Sequence, residues 1–154
     1  MSTPLDSKLV SYLSDVHALE QVSLRLLEEG GQLDGDSAAA VIYRDHAMQT
    51  RHHLRLIDER LTAYQAPCPE RTDGRVQVAA LTIVLEPGEH RTAAQLAITA
   101  YTLENMEIGI YHVLGALARH LHDEETEAVV ARILEEEEDA AELVAGAIER
   151  ASVL

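Results

Sequence analysis

The 154-residue sequence contains no tryptophan, no phenylalanine and a single cysteine, Cys68. One cysteine cannot form an internal disulfide or supply a multi-cysteine zinc or iron–sulfur site. The sequence also lacks a run of about 18 uncharged apolar residues, so we expect no membrane helix. Its first six residues do not have the pattern of a signal peptide. We therefore expect a cytoplasmic protein.

Basic residues are scarce, with 12 Lys and Arg against 27 Asp and Glu and a formal net charge of −15. Nucleic-acid binders need a basic face, so we expect no nucleic-acid partner. Hydrophobic residues make up 47% of the chain, which is enough to form one sizeable core. We predict a single domain over residues 1–154.

Alanine, leucine and glutamate dominate the composition, and these residues favour helices. Apolar residues recur at intervals of three and four, which predicts four long amphipathic helices. Their ends carry capping and terminating residues. The first helix starts at Thr3-Pro4 and stops at Gly30-Gly31, and the second follows a cap at Asp36 or Ser37 and ends at about Ala66. The third begins at a Thr92–Gln95 capping box and ends at about Leu121. The fourth follows a turn and cap at His122-Asp123 and continues to the end.

Residues 67–91 have no clean helical pattern. The apolar middle of this segment fits either a strand or two turns of helix, and in an otherwise helical chain we favour a short helix. A long connection here would cross the length of a bundle and join two αα-hairpins. The predicted fold is therefore all-α, a four-helix bundle of two αα-hairpins with a crossover connection at 67–91.

Charged or amide side chains interrupt the apolar stripe of each predicted helix near its middle. An isolated buried carboxylate is very costly, so acids converging at one level of a bundle make sense if a cation balances them. Carboxylate and imidazole ligands suit iron, manganese or zinc, and two ions could share bridging glutamates. The inward residues are Glu20 on helix one, Asp45 or His46, Gln49 and His53 on helix two, Glu104 and Glu107 on helix three, and Glu137 on helix four.

Five of these residues are our candidate metal ligands: Glu20, His53, Glu104, Glu107 and Glu137. Other interpretations stay open, because an acidic run such as 135–138 is typical of a solvated face. The two acids on helix three could instead pair with basic residues across an interface. We expect His17 and Tyr111 to pack or to support the ligands, and Tyr101 to lie in the core.

Four segments in order resemble a family of ferritin-like bacterial proteins long catalogued as a domain of unknown function and linked to stress responses. The resemblance extends over nearly the whole chain. Each predicted helix carries one of the segments: Leu13 to Gln21, Thr50 to Asp58, Leu103 to Tyr111, and Leu134 to Glu137.

Departures from the family pattern bear on function. The family's second-helix glutamate falls on Gln49, an acid of the fourth helix falls on Ala141, and a third-helix histidine falls on Asn105. The inward acids on all four helices predict a mononuclear or dinuclear iron or manganese site, and the resemblance implies that such a site acts during stress, in oxygen or peroxide chemistry. The alternative is a metal-free four-helix interaction module with a degenerate site. In either case we expect a homodimer.

Overall fold

The structure is a computed structural model that describes residues 4–32, 38–67 and 92–151. Four α-helices account for most of these residues: α1 (Pro4–Gly30), α2 (Ala38–Ala63), α3 (Ala93–Leu121) and α4 (Glu124–Ala151). Helix α1 packs against α2 and α3, and α4 packs against α2 and α3. The predicted all-α four-helix bundle of two αα-hairpins is confirmed.

Two apolar clusters fill the two ends of the bundle and show how the helices run. One cluster contains Leu26 of α1, Leu96 near the start of α3 and Val144 of α4. The other contains Leu13 of α1 and Leu61 near the end of α2. Helix α3 therefore begins at the end of the bundle opposite to the end of α2, as the predicted crossover requires. The short helix predicted within 67–91 falls outside the described residues.

Helix α2 ends at Ala63, three residues before the predicted end near Ala66. The backbone turns at Gln65, which has a φ of 55°. The amide of Ala66 donates to the carbonyl of Leu61 over 2.9 Å, and that of Gln65 donates to Thr62 over 2.9 Å. This pair of bonds is a Schellman motif, which satisfies the last carbonyls of a helix. A local cap therefore ends α2.

The capping box predicted at the start of α3 is confirmed. The amide of Gln95 donates to Oγ1 of Thr92 over 3.2 Å, and the amide of Thr92 donates to Oε1 of Gln95 over 2.9 Å. These two bonds satisfy amides that the first turn of a helix leaves unpaired. The caps predicted at Thr3 and at residues 36 and 37 fall outside the described residues.

The turn between α3 and α4 is joined to the end of α2 through side-chain hydrogen bonds. Asp123 accepts the amide of Thr126 over 3.0 Å and so caps α4, as predicted. The same carboxylate accepts the hydroxyl of Tyr64 over 2.7 Å and the guanidinium of Arg60 over 3.3 Å. One aspartate therefore fixes the end of α2 against the α3–α4 hairpin.

Tyr101 is 39% exposed, so its predicted place in the core is wrong. It lies one helical turn from the neighbouring buried residue Ala97 but falls outside the face that α3 turns inward. Across the described ranges, none of the helices is both long and apolar enough to span a bilayer.

Candidate metal centre

A layer of buried polar side chains lies between the two apolar clusters. All of its ionisable members are at most 3% exposed, and every helix contributes at least one. The layer exists because each helix places an acid or a histidine on its inward face, at the level where the others do the same. Its ionisable members are Glu20 of α1, His46 and His53 of α2, Glu104 and Glu107 of α3, and Glu137 of α4.

The first group of donor atoms joins three helices around His53. Its Nδ1 lies 2.9 Å from Oε1 of Glu137 and 3.4 Å from Oε1 of Glu20. All three side chains are 0% exposed. Together they offer one nitrogen and two oxygens that could bind the same ion.

The second group is centred on His46. Its Nε2 lies 2.9 Å from Oε2 of Glu104 and 3.4 Å from Oε2 of Glu137. Glu137 therefore belongs to both groups, with Oε1 facing His53 and Oε2 facing His46. A carboxylate placed in this way can bridge two metal ions.

Glu107 lies beside these groups and is 0% exposed. Its Oε2 accepts the hydroxyl of Ser23 over 3.5 Å, and within the described residues its Oε1 has no hydrogen-bond partner. Burial, and then the charge of Glu20, raises the pKa of Glu107 well above the ordinary value. An ionised Glu107 therefore requires a positive charge close to it.

Several oxygen and nitrogen atoms of the layer that could bind a metal lack hydrogen-bond partners among the residues that the structure describes. They are Oε2 of Glu20, Nδ1 of His53, Oε1 of Glu104, Oε1 of Glu107 and both carboxylate oxygens of Glu137. Native proteins rarely leave so many buried polar atoms unsatisfied. Bound metal ions are among the few partners that could satisfy several of them at once.

The distances between these atoms also fit a shared ion. Nδ1 of His53 is 2.9 Å from Oε1 of Glu137, yet the two atoms are not aligned as a hydrogen bond. Donor atoms that bind one metal at about 2.1 Å, at right angles to each other, lie about 3.0 Å apart. The donor set therefore fits transition-metal ions such as iron, manganese or zinc.

The pKa values show how the layer behaves without an ion. Burial lowers the pKa of His53, but the carboxylates of Glu137 and Glu20 outweigh burial and raise it to about 10. In the same way, Glu104 and Glu137 raise the pKa of His46 well above its ordinary value. Burial raises the pKa of Glu104 to about 8, although His46 opposes this. Without an ion, bound protons thus balance the buried negative charge that a metal would otherwise balance.

Glu137 has the opposite shift. Burial raises its pKa, but contacts with His46, His53 and Glu104 outweigh burial and lower it below the ordinary range. It is therefore the one acid of the layer for which the described neighbours already favour the ionised form. A carboxylate that held two metal ions would also be ionised.

Polar side chains around the layer support its members. The hydroxyl of Tyr111 donates to Oε1 of Glu20, so this tyrosine contacts one of the predicted ligands, as a supporting residue would. His17 is buried and pairs with Asp58 over 3.0 Å, away from the two groups of donor atoms. It therefore packs and pairs between α1 and α2.

The structure brings the five predicted ligands together in one layer, but it corrects the interpretation of α2. The side chain of Gln49 is exposed, so its predicted inward place is wrong. His46, one turn earlier, faces the acids instead. Its sequence signal was its position seven residues before His53, because seven residues are close to two helical turns.

The family model described as "Domain of unknown function (DUF892)" matches residues 5–153. The chain belongs to this family. A search of the curated proteins gives no significant match.

Solved structures that resemble the chain share its fold at low sequence identity. A protein from Xanthomonas campestris pv. campestris has a TM-score of 0.82 at 17% identity, covering 98% of this chain and 94% of its own. The Escherichia coli stress protein YciF has a TM-score of 0.78 at 20% identity, covering 99% and 98%. A dodecameric thioferritin, the bacterioferritin-related protein from Bacteroides fragilis, has a TM-score of 0.76 at 16% identity, covering 98% and 89%. This DUF892 member therefore has a ferritin-like fold.

Proposed function

We propose that this protein binds two divalent iron or manganese ions in the buried polar layer. The observation that carries the proposal is the set of unsatisfied donor atoms around the shared carboxylate of Glu137. His53 and Glu20 would hold one ion, and His46 and Glu104 the other. Glu107 adds a further carboxylate to the layer.

The negative charge of the layer supports the binding of two ions. Four glutamates and two histidines are buried there. With the histidines neutral, the four carboxylates have a charge of −4, which two divalent ions would balance. With both histidines protonated and no metal, a charge of −2 would remain in a water-poor site, which is unfavourable unless further protons bind.

The chain's own residues define what the site can do. The two apolar clusters exclude water on both sides of the layer, and the hydroxyl of Tyr111 orients Glu20. A bound pair of iron or manganese ions would supply redox chemistry with oxygen or peroxide. The fold likeness to a stress protein makes peroxide consumption the first reaction to test.

Elemental analysis of protein purified without chelators or affinity metal tests the proposal, together with melting curves with and without ferrous or manganous ions. We expect two ions per chain and a higher Tm when metal is added, because a ligand that binds only the folded state stabilises it. Glu137→Gln should abolish both effects. Glu138→Gln is the matched control, since Glu138 is the exposed neighbour on the same helix. No uptake by the unaltered protein would refute the proposal.

A metal-free interaction module is the second candidate function. It is favoured by the direct contacts of His46 with Glu104 and of His53 with Glu137, both 2.9 Å. These contacts allow protons to replace metal charge. A homodimer would then form through large apolar side chains exposed on the surface, among them Met48, Ile98 and Leu143. This candidate predicts a Tm that does not respond to chelators or to iron, and a dimer in sedimentation experiments.

A further inference from the structure

Each buried histidine of the layer contacts polar side chains through both ring nitrogens. His46 directs Nε2 to the buried acids, and its Nδ1 lies 3.1 Å from Oε1 of Gln49. His53 has the opposite arrangement: Nδ1 faces the acids, and Nε2 lies 2.9 Å from Oε2 of Glu136. The two rings are therefore held with different nitrogens toward the site.

The outer partner decides which nitrogen is free to bind a metal. A neutral imidazole has one N–H group and one lone pair. A carboxylate or an amide oxygen can only accept a hydrogen bond, so it requires the N–H on the nitrogen that it contacts. Oε2 of Glu136 thus places the proton of His53 on Nε2, and Oε1 of Gln49 places that of His46 on Nδ1.

We propose that Gln49 and Glu136 are positioning residues that present Nε2 of His46 and Nδ1 of His53 to the bound metal ions. This inference rests on the proposed metal-binding function. It gives Gln49 a role that its exposed position and neutral side chain otherwise leave unexplained. The histidine one turn earlier supplies the metal-binding atom, and Gln49 holds that histidine in place.

The two positioning residues share one location. Both line a cleft of about 470 Å³ between α2 and α4, on the outer side of the polar layer. Glu136 is held there by Arg132, whose Nε donates to Oε1 over 3.0 Å. This leaves Oε2 directed to His53. Partners of this kind that orient metal-binding histidines typically change metal affinity 10- to 100-fold when they are removed.

Long-range proton–nitrogen NMR spectra of ¹⁵N-labelled, zinc-loaded protein test the proposal. Zinc is used because it is diamagnetic. The chemical shift of each ring nitrogen reports whether that nitrogen binds metal or a proton. We expect zinc on Nδ1 of His53 and on Nε2 of His46. Glu136→Leu should change the tautomer pattern of His53 only and weaken zinc binding 10- to 100-fold. Gln49→Leu should do the same for His46.

Two further variants separate positioning from a structural role. Gln49→Glu keeps an acceptor oxygen and should restore the His46 pattern that Gln49→Leu loses. Glu135→Leu removes an exposed neighbouring acid and should change neither spectrum nor affinity. Zinc bound through the opposite ring nitrogens, or unchanged spectra and affinity in both leucine variants, would overturn this inference alone. Failure of the unaltered protein to bind zinc, ferrous or manganous ions would instead overturn the proposed function and the inference with it.

Discussion

The metal-free protein should become more stable, and only at neutral pH, when Glu104 is changed to glutamine. Glu104 is 0% exposed, and burial raises its pKa from 4.5 to about 8 despite the opposing effect of His46. At pH 7 the folded chain therefore holds this carboxyl mostly protonated, whereas the unfolded chain releases the proton. Folding must take up a proton from water.

The free-energy cost of taking up this proton sets the size of the expected gain in stability. Because pH 7 lies about 2.5 pH units above the ordinary pKa, the uptake lowers the free energy of unfolding by about 3 kcal/mol. Glutamine needs no proton. Its oxygen can accept from Nε2 of His46, as Oε2 of Glu104 does.

The pH dependence has a definite sign. The folded-state pKa of Glu104 is raised, so its contribution to stability is present in full below about pH 4.5 and is lost as the pH rises through about 8. Glu104→Gln should therefore match the unaltered protein near pH 4.5. At pH 7 it should exceed it by about 3 kcal/mol, or about 6–12 °C in Tm for a chain of this size.

Urea denaturation and melting curves of chelator-treated protein, recorded between pH 4.5 and 8, measure this difference. Glu135→Gln is the control, because this exposed acid changes the same charge without burial, and we expect an effect within about 0.5 kcal/mol. A variant that is less stable at every pH, or equal at pH 7, would refute the reasoning. With ferrous or manganous ions present the order should reverse, because the variant has lost a proposed ligand.

The remaining predictions concern the packing that holds the layer in place. A Cβ at Gly30 would lie 2.5 Å from Cδ2 of Tyr43, so Gly30→Ala should lower the free energy of unfolding by about 1–3 kcal/mol; an unchanged urea midpoint would contradict the contact. Gly109→Ala meets no atom within 4 Å on exposed helix and should raise the Tm, gaining about 1 kcal/mol. Asp123→Ala removes the cap of α4 and the side-chain bonds from Arg60 of α2 and from Tyr64 just after it, so we expect a loss of about 2 kcal/mol. The exposed control Asp139→Ala should stay within about 0.5 kcal/mol in the same assay.

Local patterns predicted most of the fold. The apolar spacing gave four helices because a helix that buries one face must repeat its apolar residues every three or four positions. The Thr92–Gln95 box and the Asp123 cap are likewise local hydrogen-bonding patterns, and both are confirmed. The end of α2 was predicted three residues late. The helix ends because Gln65 takes a left-handed conformation, and glutamine is not a residue type that predicts such an end.

The candidate ligands could be predicted only as far as helical phase allows. Glu20 and Glu137 interrupt apolar stripes, so the sequence by itself determined that both face inward. Helical phase left Asp45 and His46 open and placed Gln49 inward, because a small rotation of α2 changes which of these positions faces the core. Tyr101 was misplaced for the same reason.

Only the tertiary structure decided which atoms meet. The two donor groups form because α4 lies beside α2 and α3, which places Glu137 between histidines of one helix and an acid of the other. Its two oxygens face different histidines, and the choice of ring nitrogen depends on Gln49 of the same helix for His46 and on Glu136 of α4 for His53. Sequence determined the inward charges, because periodicity is local; packing determined their partners, because these lie on different helices.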